Sequence, residues 1–319
     1  MNSLVKNTKK MSFKKKEKTR DYTLKSTLSC YLMLSTQIIG FLVLTVYPIL
    51  WAASKAWYNY TGVPSQTRFV GWDNFVQIFT QDSTYWQAWI TTFKFAIIKL
   101  PVELPLAILI AVLLNQKLKG KGLFRAMFYL PHIISVAIVG LVFGNMFGYF
   151  GVINAILMKL GIITEGINWL ENTGTSLFMI MLASTWSTFG VNMIYFLGAL
   201  QTIPEELYES AKLDGAGRFT VFFKITLPMI SPVLQTILLL AINGTLHINE
   251  LVLVSTNGAP GGSTLSVMAY IVKNFVPGFA DSSTVNIGYG CAMALITSVI
   301  FCIIAMLYSK LSKKLSEIY

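Results

Sequence analysis

Two groups of residues in this chain have types and spacings suited to chemistry. The first is Glu209-Ser210-Ala211-Lys212-Leu213-Asp214-Gly215, followed after nine residues by Ile225-Thr226-Leu227-Pro228. Around it lie four acids (Glu205, Glu206, Glu209, Asp214) and three bases (Lys212, Arg218, Lys224), in a chain whose long stretches are otherwise uncharged. A loop between two apolar stretches has no lipid reason to carry such a pattern, so the segment reads as a surface for docking another protein. The second group is Trp186, Asn192, Tyr195, Asn243, His247 and Glu250, polar and aromatic groups set in or at the ends of apolar runs. Such groups are costly in lipid, so they either hydrogen-bond between packed helices or line a polar path. No Ser/His/Asp set, paired acids or metal-type spacing is present, and Cys30, Cys291 and Cys302 all fall in apolar runs. No intrinsic catalysis and no metal are expected. No phosphate-binding Gly-Lys-Ser/Thr loop occurs, so any ATP must be bound by another chain.

The elements that position these residues are membrane helices. The 319 residues are 54% hydrophobic and only 12% charged, against about 25% charged in a soluble domain. Mean hydropathy is +0.61. A spanning helix needs about 20 mostly apolar residues. The uncharged runs, together with a less clean stretch holding Lys94, Lys99 and Glu103, predict six spans at about 29–52, 90–115, 126–149, 176–200, 230–254 and 286–309. Lys99 and Glu103 are four apart and share a helix face, where they can pair. The basic start is followed by an uncharged run, 26–54, too long for a signal peptide, so it reads as a retained first helix. The expected class is an all-α integral membrane protein.

Charge sets the orientation. Nine Lys/Arg lie between Lys6 and Lys25, a basic tail with affinity for anionic lipid rather than nucleic acid. With the N-terminus inside, nineteen Lys/Arg fall on the inner side and four (Lys55, Arg68, Lys159, Lys273) on the outer. The positive-inside rule therefore predicts both termini and the 204–228 loop in the cytoplasm. The 53–88 loop, with Trp57, Tyr58, Tyr60, Trp72, Phe75, Tyr85 and Trp86, reads as an interfacial aromatic belt. Glu250, about 20 residues along its span at 1.5 Å each, is expected near the outer surface. His132, near the inner boundary, reads as structural.

Within 204–228, Pro204 suits a helix start, and the acids that follow sit well at its positive end. Gly215 breaks the helix or permits a sharp turn. A second short helix is predicted from Arg218 to Ile225, stopped by Pro228. The result is a helix–turn–helix between spans 4 and 5.

The spacing Glu-x-Ala-x3-Gly-x9-Ile-x-Leu-Pro resembles the "EAA" loop of permease subunits in binding-protein-dependent ABC importers. Glu209, Ala211, Asp214, Gly215, Ala216, Ile225, Leu227 and Pro228 match, and Ser210 stands where the family has its middle alanine. Tyr129-Leu130-Pro131, Gly198-Ala199-Leu200-Gln201-Thr202-Ile203-Pro204 and Thr256-Asn257-Gly258-Ala259-Pro260 are similar to carbohydrate importers of the maltose type, the last to the first of their two permeases. Ala259 replaces a usual glycine. The resemblance covers about residues 25–315 and leaves out the basic tail 1–25.

That resemblance implies a multi-pass permease of the bacterial plasma membrane. Its partners would be a second permease, two ATPase subunits and an extracellular solute-binding protein. ATP and Mg would be held by the ATPases, and no cofactor by this chain. The loop residues named above, Ser210 included, would receive the ATPase stroke, and a sugar or oligosaccharide would be the cargo. Trp and Tyr faces beside Asn and His suit a sugar. A polyamine or glycerol phosphate is the alternative cargo within the same class. A stand-alone secondary transporter or channel would show mid-membrane coupling carboxylates or inverted repeats, and Glu103 is the one clear mid-span acid.

Overall fold

A computed structural model describes residues 24–116, 118–275 and 285–316. Most of the basic tail, Lys117 and part of the stretch between the fifth and sixth predicted spans lie outside them. The chain divides into two units, residues 1–51 and 52–319.

Helix α1 (Leu24–Phe41) passes through a π turn (Leu42–Val46) into α2 (Tyr47–Lys55), whose last four residues belong to the second unit. The π turn ends two residues before Pro48. A proline ring clashes with the carbonyl four residues back, here Leu44 inside the widened turn, so the helix continues where an α turn would break. The same arrangement recurs at Pro228.

The second unit begins at residue 52. A short antiparallel pair, β1 (Tyr58–Asn59) and β2 (Arg68–Phe69), leads into α3 (Asp73–Thr80). Asn74 holds the entry by donating its amide to the carbonyls of Ala56 (2.8 Å) and Tyr58 (3.1 Å). Trp57, Trp72 and Phe75 pack on one another at 5.0–5.9 Å between centroids. Tyr85 is fully buried and shares a hydrogen bond with Thr297 at 2.9 Å. Tyr85, with Trp57 and Phe75 packed nearby, belongs to a local core, while Trp72 stands 66% exposed at its edge.

The second predicted span is longer than its apolar run. Helix α4 (Ser83–Asn115) starts seven residues before the expected boundary, with Asp82 capping it by accepting from the Tyr85 amide at 2.9 Å. Pro101 and Pro105 do not end it. Phe95, Lys99, Glu103, Ala107 and Ala111 form one buried stripe at four-residue spacing. Small residues at 107 and 111 let α4 approach α8 (Thr173–Leu200), where Met193, Phe196, Leu197 and Leu200 complete the core.

Two predicted spans are broken. The span expected at 126–149 is two helices, α5 (Lys121–Ile133) and α6 (Val136–Met146), bent by 91°. Ile134 and Ser135 between them are extended, with ψ of 136° and 133°. The span at 230–254 is α12 (Ser231–Leu246) and α13 (Glu250–Ser255), interrupted at His247–Asn249. Outside the spans, α7 (Val152–Lys159) is anchored by buried Asn154, which donates to Tyr149 and Ile167 carbonyls and accepts from Trp169. Helix α14 (Val267–Phe275) occupies what the sequence reads as loop, and Val267, Ala269 and Ile271 are buried. Helix α15 (Ile287–Ser316) closes the unit. Among the described residues, five helical stretches are long and apolar enough to cross a membrane, with α1–α2 and α12–α13 each taken together, or six when the bent pair α5–α6 counts as one.

Helix α5 meets α8 at Gly190, where a Cβ would lie 1.9 Å from the Phe128 carbonyl oxygen and 3.2 Å from Tyr129 Cα. Neither backbone atom can move without shifting a helix. Gly190→Ala is expected to cost about 1–3 kcal/mol by overpacking. Thermal unfolding of the detergent-solubilised protein checks this, and an unchanged midpoint would contradict the contact.

Candidate functional site

Two regions draw on the residues singled out above. The first is the 204–228 segment. Helix α9 (Glu205–Leu213) follows Pro204 and carries Glu205 and Glu206 in its first turn. It closes in a Schellman arrangement: the Ala216 amide donates to Ala211 (2.9 Å) and the Gly215 amide to Lys212 (3.2 Å). Gly215 has φ +73°, a conformation that side chains disfavour. Helix α10 (Arg218–Val221) then passes through a π turn (Phe222–Thr226) into α11 (Leu227–Met229) and on toward α12. Pro228 therefore does not stop this helix. The carbonyl it would strike, Lys224, lies in the π turn.

The segment has two sides. Ala211 is buried, and Tyr208 shares a hydrogen bond with buried Thr226 at 3.2 Å while packing on the core of Ala107, Ala111 and Ile230. Ile225, Leu227, Pro228 and Ala216 are half-buried, and Glu209, Ser210, Asp214 and Gly215 are exposed. Leu213 and Phe219 stand 89% and 84% exposed.

The second region is a half-open cavity of about 360 Å³ lined by α4, α5, α6, α8, α12 and α13. Both helix breaks border it: His132 and Val136 flank one, and His247 to Glu250 form the other. Irregular backbone at membrane depth is tolerated where it lines a cavity or is buried in protein. Glu250 and His132, expected at opposite surfaces, line the same space, because the straight-helix rise fails where the spans bend.

A buried ion pair forms one wall. Lys99 Nζ lies 3.1 Å from Glu103 Oε2 and donates to Thr245 Oγ1 at 3.4 Å. Glu103 Oε1 accepts from Thr188 (2.6 Å) and Asn192 (2.8 Å). The network joins α4, α8 and α12. Ser184, Ser187, Tyr195 and Asn249 add hydrogen-bonding groups, and Tyr195 presents a half-exposed ring.

Of the residues singled out in the apolar runs, Asn192, Tyr195, His247 and Glu250 line the cavity. Trp186 packs on Phe143 at 5.6 Å, and Asn243 is exposed, its carbonyl 2.8 Å from His247 Nδ1; neither lines it. Lys99, Glu103, Thr188 and Thr245 were not among the path candidates. The four-residue stripe of α4 was the signal for the first two. No group of three or more metal-ligating side chains occurs among the described residues.

The chain belongs to the family of binding-protein-dependent transport system inner membrane components, whose model matches residues 103–317. It is thus a multi-pass membrane permease subunit of the ABC importer class, without catalysis of its own. It is 35% identical over 293 residues to the probable ABC transporter permease protein YesP of Bacillus subtilis (strain 168), covering 90% of this chain and 91% of that one. It is 36% identical over 250 residues to the lactose transport system permease protein LacF of Rhizobium radiobacter, covering 76% and 83%. Its fold matches a bacterial ABC transporter that imports the acidic polysaccharide alginate, with a TM-score of 0.79 over 91% of this chain and 96% of that one, at 24% identity.

Proposed function

We propose that this chain moves a sugar or oligosaccharide into the bacterial cell as one of two permeases of an ATP-driven importer in the plasma membrane. Both termini and the 204–228 segment are taken as cytoplasmic. Two ATPase subunits hold ATP and Mg, one of them seating on that segment and the other on the second permease, and an extracellular binding protein delivers the solute.

The observation that carries the coupling role is the two-sided 204–228 fold. Leu213 and Phe219, almost fully exposed on a small capped structure, gain free energy when a partner covers them. The inward side, through Tyr208 and Thr226, is tied to the helix core. A partner's motion is therefore delivered to the spans rather than lost in a loose loop. Closure of the ATPases shifts the permease only if the docked segment is bound differently in its two states. Supporting the cargo are the hydroxyl, amide and imidazole groups of the cavity and the resemblance to named sugar permeases.

The test is reconstitution of the complete complex in proteoliposomes with a panel of oligosaccharides. At least one saccharide with its binding protein is expected to stimulate ATP hydrolysis and to accumulate inside. A complex that assembles but answers to no saccharide would overturn the cargo, and failure of the ATPase to co-purify would overturn the coupling.

A further inference from the structure

The charges of the cavity bear on which solutes it takes. Its lining contains one basic side chain, Lys99, and two acids, Glu103 and Glu250, the imidazoles of His132 and His247 counted as neutral. Lys99 and Glu103 are 95% and 99% buried and neutralise each other at 3.1 Å. The ammonium also donates to Thr245. An entering anion would therefore have to take Lys99 from Glu103, which would leave a buried carboxylate uncompensated. Glu250 is exposed at the start of α13 and remains as the surplus charge.

We infer that the cavity admits neutral polyhydroxylated solutes and rejects carboxylated or phosphorylated ones, with Glu250 as the specificity-determining residue. Hydroxyls pair with the Ser, Thr, Asn and Tyr groups without disturbing the ion pair, because a hydroxyl both donates and accepts. A carboxylate only accepts, and it meets a lining whose net charge is already negative. This inference rests on the proposed carbohydrate transport and narrows it to uncharged sugars.

The experiment uses the assembled permease–ATPase complex in detergent without binding protein, so that delivery plays no part. Saturation-transfer NMR reads binding of maltotriose and galactotriose, of trigalacturonate, and of spermidine as a cationic probe. The neutral sugars are expected to bind and trigalacturonate not. Glu250→Gln is expected to raise the ratio of acidic to neutral binding roughly tenfold, the scale of one unit charge about 12 Å away at an effective dielectric of about 20. Glu250→Lys should raise it further, and Glu250→Asp should keep the wild-type ratio. Trigalacturonate binding to wild type as well as the neutral sugars do, or a ratio unmoved by Glu250→Gln, would overturn the charge rule and leave the carbohydrate reading intact. Binding of spermidine alone, or of none of these, would overturn the carbohydrate reading itself.

Discussion

Gly215→Pro is expected to abolish uptake and ATPase co-purification while leaving membrane insertion normal. Proline holds φ near −65°, whereas this residue sits at +73°. The substitution also removes the amide that donates to Lys212. Both closing bonds of the Schellman arrangement depend on this geometry, so α9 loses its end and the direction of the chain into α10. Gly215→Ala separates backbone from bulk, because a Cβ there meets nothing within 4 Å. Its cost is conformational alone, about 1 kcal/mol, and Asn should be tolerated better. Glu209→Ala tests the exposed face instead, and should weaken ATPase binding without loosening the fold. Pull-down of the ATPase and transport in proteoliposomes read all three. Uptake that survived Gly215→Pro would remove the segment from the coupling role.

The second large effect is expected at the buried ion pair. Lys99→Met leaves the Glu103 carboxylate without its cation, and Glu103→Gln leaves the ammonium without its anion. Breaking a buried pair from one side costs about 3–5 kcal/mol. The double variant Lys99→Met/Glu103→Gln should recover most of the loss. Its glutamine oxygen still accepts from Thr188 and Asn192, and no charge remains buried. Thermal unfolding of the assembled complex measures the cycle. Single variants as stable as wild type, or a double variant no better than the worse single one, would contradict a coupled pair. Because the pair joins α4, α8 and α12, the single variants should also depress transport.

Local patterns account for much of what was legible in the sequence. Helices lie at all six predicted spans, since about 20 apolar residues in a row have few other uses. Helix α9 was legible because its start signal and its Gly215 stop both act within a few residues. The Lys99–Glu103 pairing was legible because four-residue spacing is itself a contact.

The rest was decided between elements. Asn192 and Glu103 are 89 positions apart, and no periodicity in either helix announces the other. The breaks at Ile134–Ser135 and His247–Asn249 fall inside runs that hydropathy treats as continuous. They persist because they border a cavity, and a cavity is a property of several helices together. Helix α14 is short and follows turn formers, so it reads as loop until α4 and α15 provide a surface to bury Val267 and Ile271. By itself the sequence determined the membrane class, the helices at the predicted spans and the form of the 204–213 helix, because these follow from residues near one another in the chain. Only the tertiary structure decided which polar groups share a cavity and how Lys99 is neutralised, because burial and electrostatic compensation depend on helices brought together from distant parts of the chain.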